Sequence, residues 1–112
     1  MCENDIVRLR HIFDAAQEAV GFLRDRSRKD LDTDRQLNLS LIRLLEIIGE
    51  ASRGTSTEFR TVHSDLPWKK MIGMRDRLIH GYFDVNLDVV WETVQDDLPA
   101  LISQLKNILL RI

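Results

Sequence analysis

Apolar residues recur at intervals of three and four along almost the whole chain. Ile6, Leu9, Ile12, Phe13, Ala16, Val20 and Leu23 make the first such stripe. It predicts an amphipathic helix from about Asn4 to Arg26. Asn4 or Asp5 can cap its start, and the polar run Asp25 to Asp30 reads as a turn. A second helix, from about Leu31 or Thr33 to Arg53, puts Leu37, Leu41, Leu44, Leu45, Ile48 and Ala51 on one face. Ile42 and Ile47 widen that face, so this helix should be central. Gly54 lies just past the last periodic residue and is a natural stop.

Thr55-Ser56-Thr57 offers a cap for a short helix through about Val62, and Ser64-Asp65-Leu66-Pro67 starts the next. Pro67 suits a first helical turn, where its missing N–H is not needed. That helix carries Trp68, Met71, Ile72, Met74, Leu78 and Ile79 and is expected to end at Gly81. Asn86 or Asp88 caps a last helix whose stripe is Val89, Val90, Val94, Leu98, Leu101, Leu105, Ile108 and Leu109. Pro99 should kink it or divide it in two. No strand-period segment, repeat or low-complexity tract stands out. The expected fold is an all-α, antiparallel up-and-down bundle of four to five helices, forming a single domain over residues 1–112.

Composition narrows the function classes. At 112 residues the chain is long enough for one core and too short for two. No apolar run approaches the ~20 residues of a membrane span, and the start lacks the pattern of a secretory signal. A single cysteine, Cys2, cannot form an internal disulfide, so a cytoplasmic location is expected. The net charge of −2 argues against a broad basic surface for nucleic acid. Its distribution is uneven: Arg53 to Arg77 holds six bases against three acids, whereas Asp84 to Leu98 holds five acids and no base. Two solvated faces explain this, and any RNA contact should be local. No Cys/His pair has ligand spacing, so no structural metal or cofactor is expected.

The chemistry concentrates in Met74-Arg75-Asp76-Arg77-Leu78-Ile79-His80-Gly81-Tyr82, which contains the chain's only tyrosine. Arginine presents fixed donors to phosphate oxygens, and histidine moves a proton near neutral pH. On an ideal helix Met71 and Leu78 flank Arg75 by about 40° and 60° on one side, and Ile79 and Ile72 by about 40° and 60° on the other. Arg75 is then centred in an apolar face. A buried salt bridge to Glu46 or Glu50 would explain that, as would a seam with a second subunit. His80 diverges by about 140° from Arg75 if the helix stays ideal. Either the last turn loosens at Gly81, or two copies of the motif meet across a two-fold axis. Asp76, four residues before His80, is within helical reach of the imidazole. Glu46 and Glu50 otherwise read as an exposed ladder with Arg43 and Arg53. Gly49 inside that helix suggests the close approach of another backbone.

Arg75-Asp76-Arg77-Leu78-Ile79-His80-Gly81-Tyr82 resembles the signature of the HEPN superfamily of small helical ribonucleases, and more narrowly of HepT toxins. Leu45-Glu46-Ile47-Ile48-Gly49-Glu50-Ala51, Pro67-Trp68, Phe83-Asp84-Val85 and Val90-Trp91 resemble the same family, so the likeness spans nearly the whole chain. It implies a homodimeric, metal-independent endoribonuclease with its cleft between protomers. Arg75 and His80 would be catalytic, with Asp76 and Arg77 in support. It further implies a toxin–antitoxin pairing of type VII kind, in which a minimal nucleotidyltransferase silences the toxin by attaching AMP to Tyr82. DNA and membrane partners are not implied. Two other readings stay open: a non-catalytic helical module that partners or presents substrate to such a transferase, and a purely structural dimer.

Overall fold

The computed structural model describes residues 3–81 and 84–112, and the side chains of 4–79 and 84–112. Its helices are α1 (Glu3–Phe22), α2 (Arg28–Thr33), α3 (Arg35–Arg53), α4 (Thr57–Val62), α5 (Trp68–Ile72), α6 (Met74–Leu78), α7 (Leu87–Glu92) and α8 (Leu98–Leu110). A π-helical turn, Thr93–Asp97, joins α7 to α8. The long helices α1, α3 and α8 form an all-α bundle. Its core holds Leu9, Ile12, Leu41, Leu45, Ile48 and Leu105, all fully buried. These are residues of the stripes the periodicity picks out, and α3 packs against α1, α5 and α6 as a central helix must. Among the described residues, no helix is long and apolar enough to cross a membrane.

Local chemistry sets the breaks. α1 stops at Phe22, earlier than expected, and Asp25 takes a left-handed backbone (φ 64°), a conformation Asp adopts more readily than most residues. The expected turn through Asp30 contains a separate helix instead. Ser27 and Asp30 form a capping box that starts α2, and Asp34, in extended conformation, caps α3 by accepting from the Leu37 amide at 3.0 Å. Ser56 caps α4 by accepting from Phe59. Gly54 ends α3 as expected, but at φ −77°. A Cβ there would meet the flexible end of the Arg8 side chain, with Nε at 2.7 Å, which that side chain would have to vacate.

Pro99 divides the last helix. As the second residue of α8 it has no N–H for the carbonyl four residues back. The wider turn before it, in which the Leu98 N–H donates to the Thr93 carbonyl, absorbs the mismatch. Val90, Val94, Leu98, Leu101 and Leu105 all stay in the core across this turn.

Asn4 and Asp5 lie inside α1 and do not cap it. The buried Asp5 carboxylate instead accepts from the Ser56 amide at 2.8 Å and its hydroxyl at 2.7 Å, tying α1 to the start of α4. Burial acts to raise this carboxyl's pKa. The two Ser56 hydrogen bonds and the Arg8 charge outweigh it, leaving the pKa below the ordinary carboxylate value. A lowered folded-state pKa gives stability that is complete above the unfolded value of about 4 and lost as pH falls through the folded one. Asp5→Asn should therefore cost about 1–3 kcal/mol at pH 7. Its stability should also decline less than that of the natural chain below about pH 4. Chemical denaturation at pH 7 and pH 3 checks both; equal acid slopes would remove Asp5 from the account.

Candidate active site

Gly49 lies where α3 faces the motif. It is buried on α3, and a Cβ there would lie 3.4 Å from the Met71 carbonyl oxygen, 3.5 Å from that of Ile72 and 4.0 Å from the Arg75 amide. The close backbone approach expected from this glycine is present, and its partner is the α5–α6 junction. α5 and α6 are separate helices divided by Gly73, where one helix from Pro67 to Gly81 was expected. Met71, Met74 and Leu78 are buried at spacings of three and four, so the apolar phase carries across the break.

That burial pattern moves Arg75 off the apolar centre. Ile72 and Ile79, the residues on its other flank, are only half-buried, so the buried stripe lies to one side of it. The Arg75 side chain is 53% exposed, and no buried charge arises. Its Nε lies 3.3 Å from Glu46 Oε2 on α3, and its Nη1 4.0 Å from Asp76 Oδ1. Of the two glutamates considered, Glu46 faces Arg75, and Glu50 pairs with Arg43 at 3.4 Å. An exposed pair of this kind contributes at most about 1 kcal/mol to stability. Its larger effect is orientation, since it holds the guanidinium by Nε and not by its terminal nitrogens.

Arg77 takes another direction. Its Nη1 lies 3.8 Å from Asp97 Oδ2, and Lys70 Nζ 3.0 Å from Asp97 Oδ1. The two arginines of the motif thus reach to different elements, Arg75 to α3 and Arg77 to the π-helical turn. Sequence reasoning missed Asp97, reading it as one acid on a solvated face. The signal available was the basic excess before residue 78 set against the acidic excess after residue 84, and in the fold Asp97 joins the two.

The helix ends at Leu78, three residues before the expected stop. Ile79 is extended (φ −117°, ψ 116°), and Ile79–Gly81 (β1) pairs antiparallel with Asp84–Val85 (β2). No strand was expected, and the ribbon is a local correction within an all-α fold. Because α6 stops there, Asp76 and His80 do not share the helical four-residue spacing. Asp76 is exposed beside Arg75. His80 lies in β1; its side chain is outside the described residues, as are Tyr82, Phe83 and Cys2. Trp68 is buried, donating its indole N–H to the His63 carbonyl at 2.9 Å and meeting Phe59 edge-on, so it anchors the core. Among the described residues, no three His, Cys, Asp or Glu side chains come together as a metal ion would need.

The comparisons with known proteins agree with one another. The family model described as Ribonuclease HepT-like matches residues 12–108. A candidate RNase of Caldanaerobacter subterraneus is 43% identical over 101 residues, covering 90% of each chain. A protein of Thermococcus cleftensis named "Probable ribonuclease HepT" is 41% identical over 93 residues, covering 83% of this chain and 84% of that one. A candidate RNase of Methanocaldococcus jannaschii is 36% identical over 93 residues, with 83% and 85% covered. No solved structure matches the chain. The chain belongs to the HepT-like family of ribonucleases.

Proposed function

We propose that this HepT-like ribonuclease cuts RNA without a metal ion, using Arg75 and His80 at a site completed by a second copy of the chain. The observation that carries this reading is the placement of Arg75. The guanidinium is exposed, paired through Nε with Glu46, and carried on a segment that packs against α3 at Gly49. An exposed guanidinium held in orientation by a carboxylate is the kind of preorganised donor that stabilises developing charge on phosphate oxygens.

In the reaction, His80 takes the proton of the attacking 2′-hydroxyl or delivers one to the leaving 5′-oxygen. The 2′-oxygen bonds to phosphorus as the bond from phosphorus to the 5′-oxygen breaks. Arg75 stabilises the charge that builds on the phosphorane-like oxygens, and Arg77 helps hold the backbone. The products are a 2′,3′-cyclic phosphate, or its hydrolysed form, and a 5′-hydroxyl. The motif's two arginines reach to different elements of one chain, Arg75 to α3 and Arg77 to the π-helical turn, which supports a site shared between two copies related by a two-fold axis.

Tyr82, two residues beyond His80, is the proposed point of control. AMP attached there by a minimal nucleotidyltransferase adds bulk and negative charge beside a phosphate-binding site, and both oppose RNA. The chain would then be the toxin of a toxin–antitoxin pair. Co-expression with an active transferase should add mass in units of about 329 Da, mapping to Tyr82. Unmodified mass would leave control to simple binding, and modification undiminished in Tyr82→Phe would place the AMP on another residue.

A further inference from the structure

The α4–α6 side of the molecule carries a groove of about 730 Å³ that the motif only touches. Pro67 and Trp68 form part of its floor, and Arg60, Lys69, Lys70 and Arg77 stand around it. Four of the six bases between Arg53 and Arg77 are thereby gathered on one surface of a chain whose net charge is −2. They are poorly neutralised. Lys70 and Arg77 share the single carboxylate of Asp97. Arg60 donates to neutral oxygens only, the carbonyls of Arg53 and Thr55 and the Thr55 hydroxyl. Lys69 is exposed and, among the described residues, meets no carboxylate. Four cations against one acid leave an excess of three positive charges around an apolar floor.

We infer that this groove binds an unpaired stretch of substrate RNA flanking the cut, with phosphates on Arg60, Lys69, Lys70 and Arg77 and a base against Pro67. The inference deepens the ribonuclease reading and rests on it. Single-stranded RNA is held by cationic tracks beside flat apolar surfaces, which take any base and so carry little sequence preference. Arg77 belongs both to the groove and to the motif, two residues from Arg75, so one strand can pass from the cut site into the groove. Asp97 then acts as a placeholder that keeps Lys70 and Arg77 side by side until phosphate takes their charge.

The test uses the whole chain and a labelled single-stranded oligonucleotide made of 2′-O-methyl RNA, which lacks the attacking hydroxyl and cannot be cut. Lys69→Glu should weaken its binding at least about tenfold, and Lys69→Arg should bind as the natural chain does. Lys69→Ala should lower the slope of log affinity against log salt by about 0.7, one lost phosphate contact on a single strand. Lys106→Glu, on the exposed side of α8, controls for net charge and should change nothing at the groove. Affinity equal in Lys69→Glu, Lys106→Glu and the natural chain overturns the proposal, as does no binding of RNA at all. Cleavage of ordinary RNA, followed in parallel, separates the two readings. Cutting with an unchanged KM in Lys69→Glu removes only the groove; Lys69-dependent binding with no cutting removes only the nuclease.

Discussion

Replacing His80 with alanine should lower the rate of RNA cleavage by about 10²–10⁴-fold, the usual contribution of a positioned general acid or base. His80 is the only proton-transfer group of its kind in the motif. The other histidines do not substitute for it: His11 is on α1, and His63 packs at a tilt against Phe59 with ring centroids 4.6 Å apart. The fold should survive, because β1 is a three-residue strand attached to a core built from α1, α3 and α8. Single-turnover cleavage and the unfolding midpoint, measured on the same preparation, make the comparison. A rate within threefold of the natural chain would remove His80 from the chemistry, and a collapsed midpoint would make it a structural residue.

Arg75→Lys should cost about 10²–10³-fold, although the charge is kept. The arginine is anchored through Nε to Glu46 at 3.3 Å, which leaves its two terminal nitrogens to meet two phosphate oxygens together. Lysine offers a single point charge, and Glu46 would draw that charge inward. Stability should change by less than about 1 kcal/mol, since the pair is exposed. The expected signature is therefore a low kcat in a chain that melts normally. Glu46→Gln keeps an acceptor at the same place and should lose less than tenfold. An Arg75→Lys enzyme of near-natural kcat would show that only a diffuse positive charge is needed.

Most of the bundle was legible because its helices are long enough for the period to repeat. Residues of α1, α3 and α8 bury the expected stripes, Gly54 ends α3, and Pro99 divides the last helix from the first turn of α8. Gly49 was legible as a close approach, though not the identity of its partner. The motif helix was misread for a physical reason. Gly73 breaks α5 from α6 at φ −82°, close enough to helical values that Met71, Met74 and Leu78 keep their phase. The period therefore ran on through the break, and Arg75 looked central when it lies at the edge of the buried stripe. The ribbon that follows is too short to show an alternation of two. Asp97 was hidden because charge pairing across twenty or more residues has no local signature. Glu46 was one of two glutamates open to Arg75, and choosing between them, like the divergence of the two arginines, required the fold.

The most direct test of the central claim is the end chemistry of RNA cut by the unmodified chain in excess EDTA. The account predicts cleavage that persists, 5′-hydroxyl ends, and 2′,3′-cyclic phosphates or their hydrolysed form at the other end, all lost in His80→Ala. Activity abolished by EDTA, or products carrying a 3′-hydroxyl and a 5′-phosphate, would contradict it, because neither follows from attack by the neighbouring 2′-oxygen with Arg75 and His80 as the working groups.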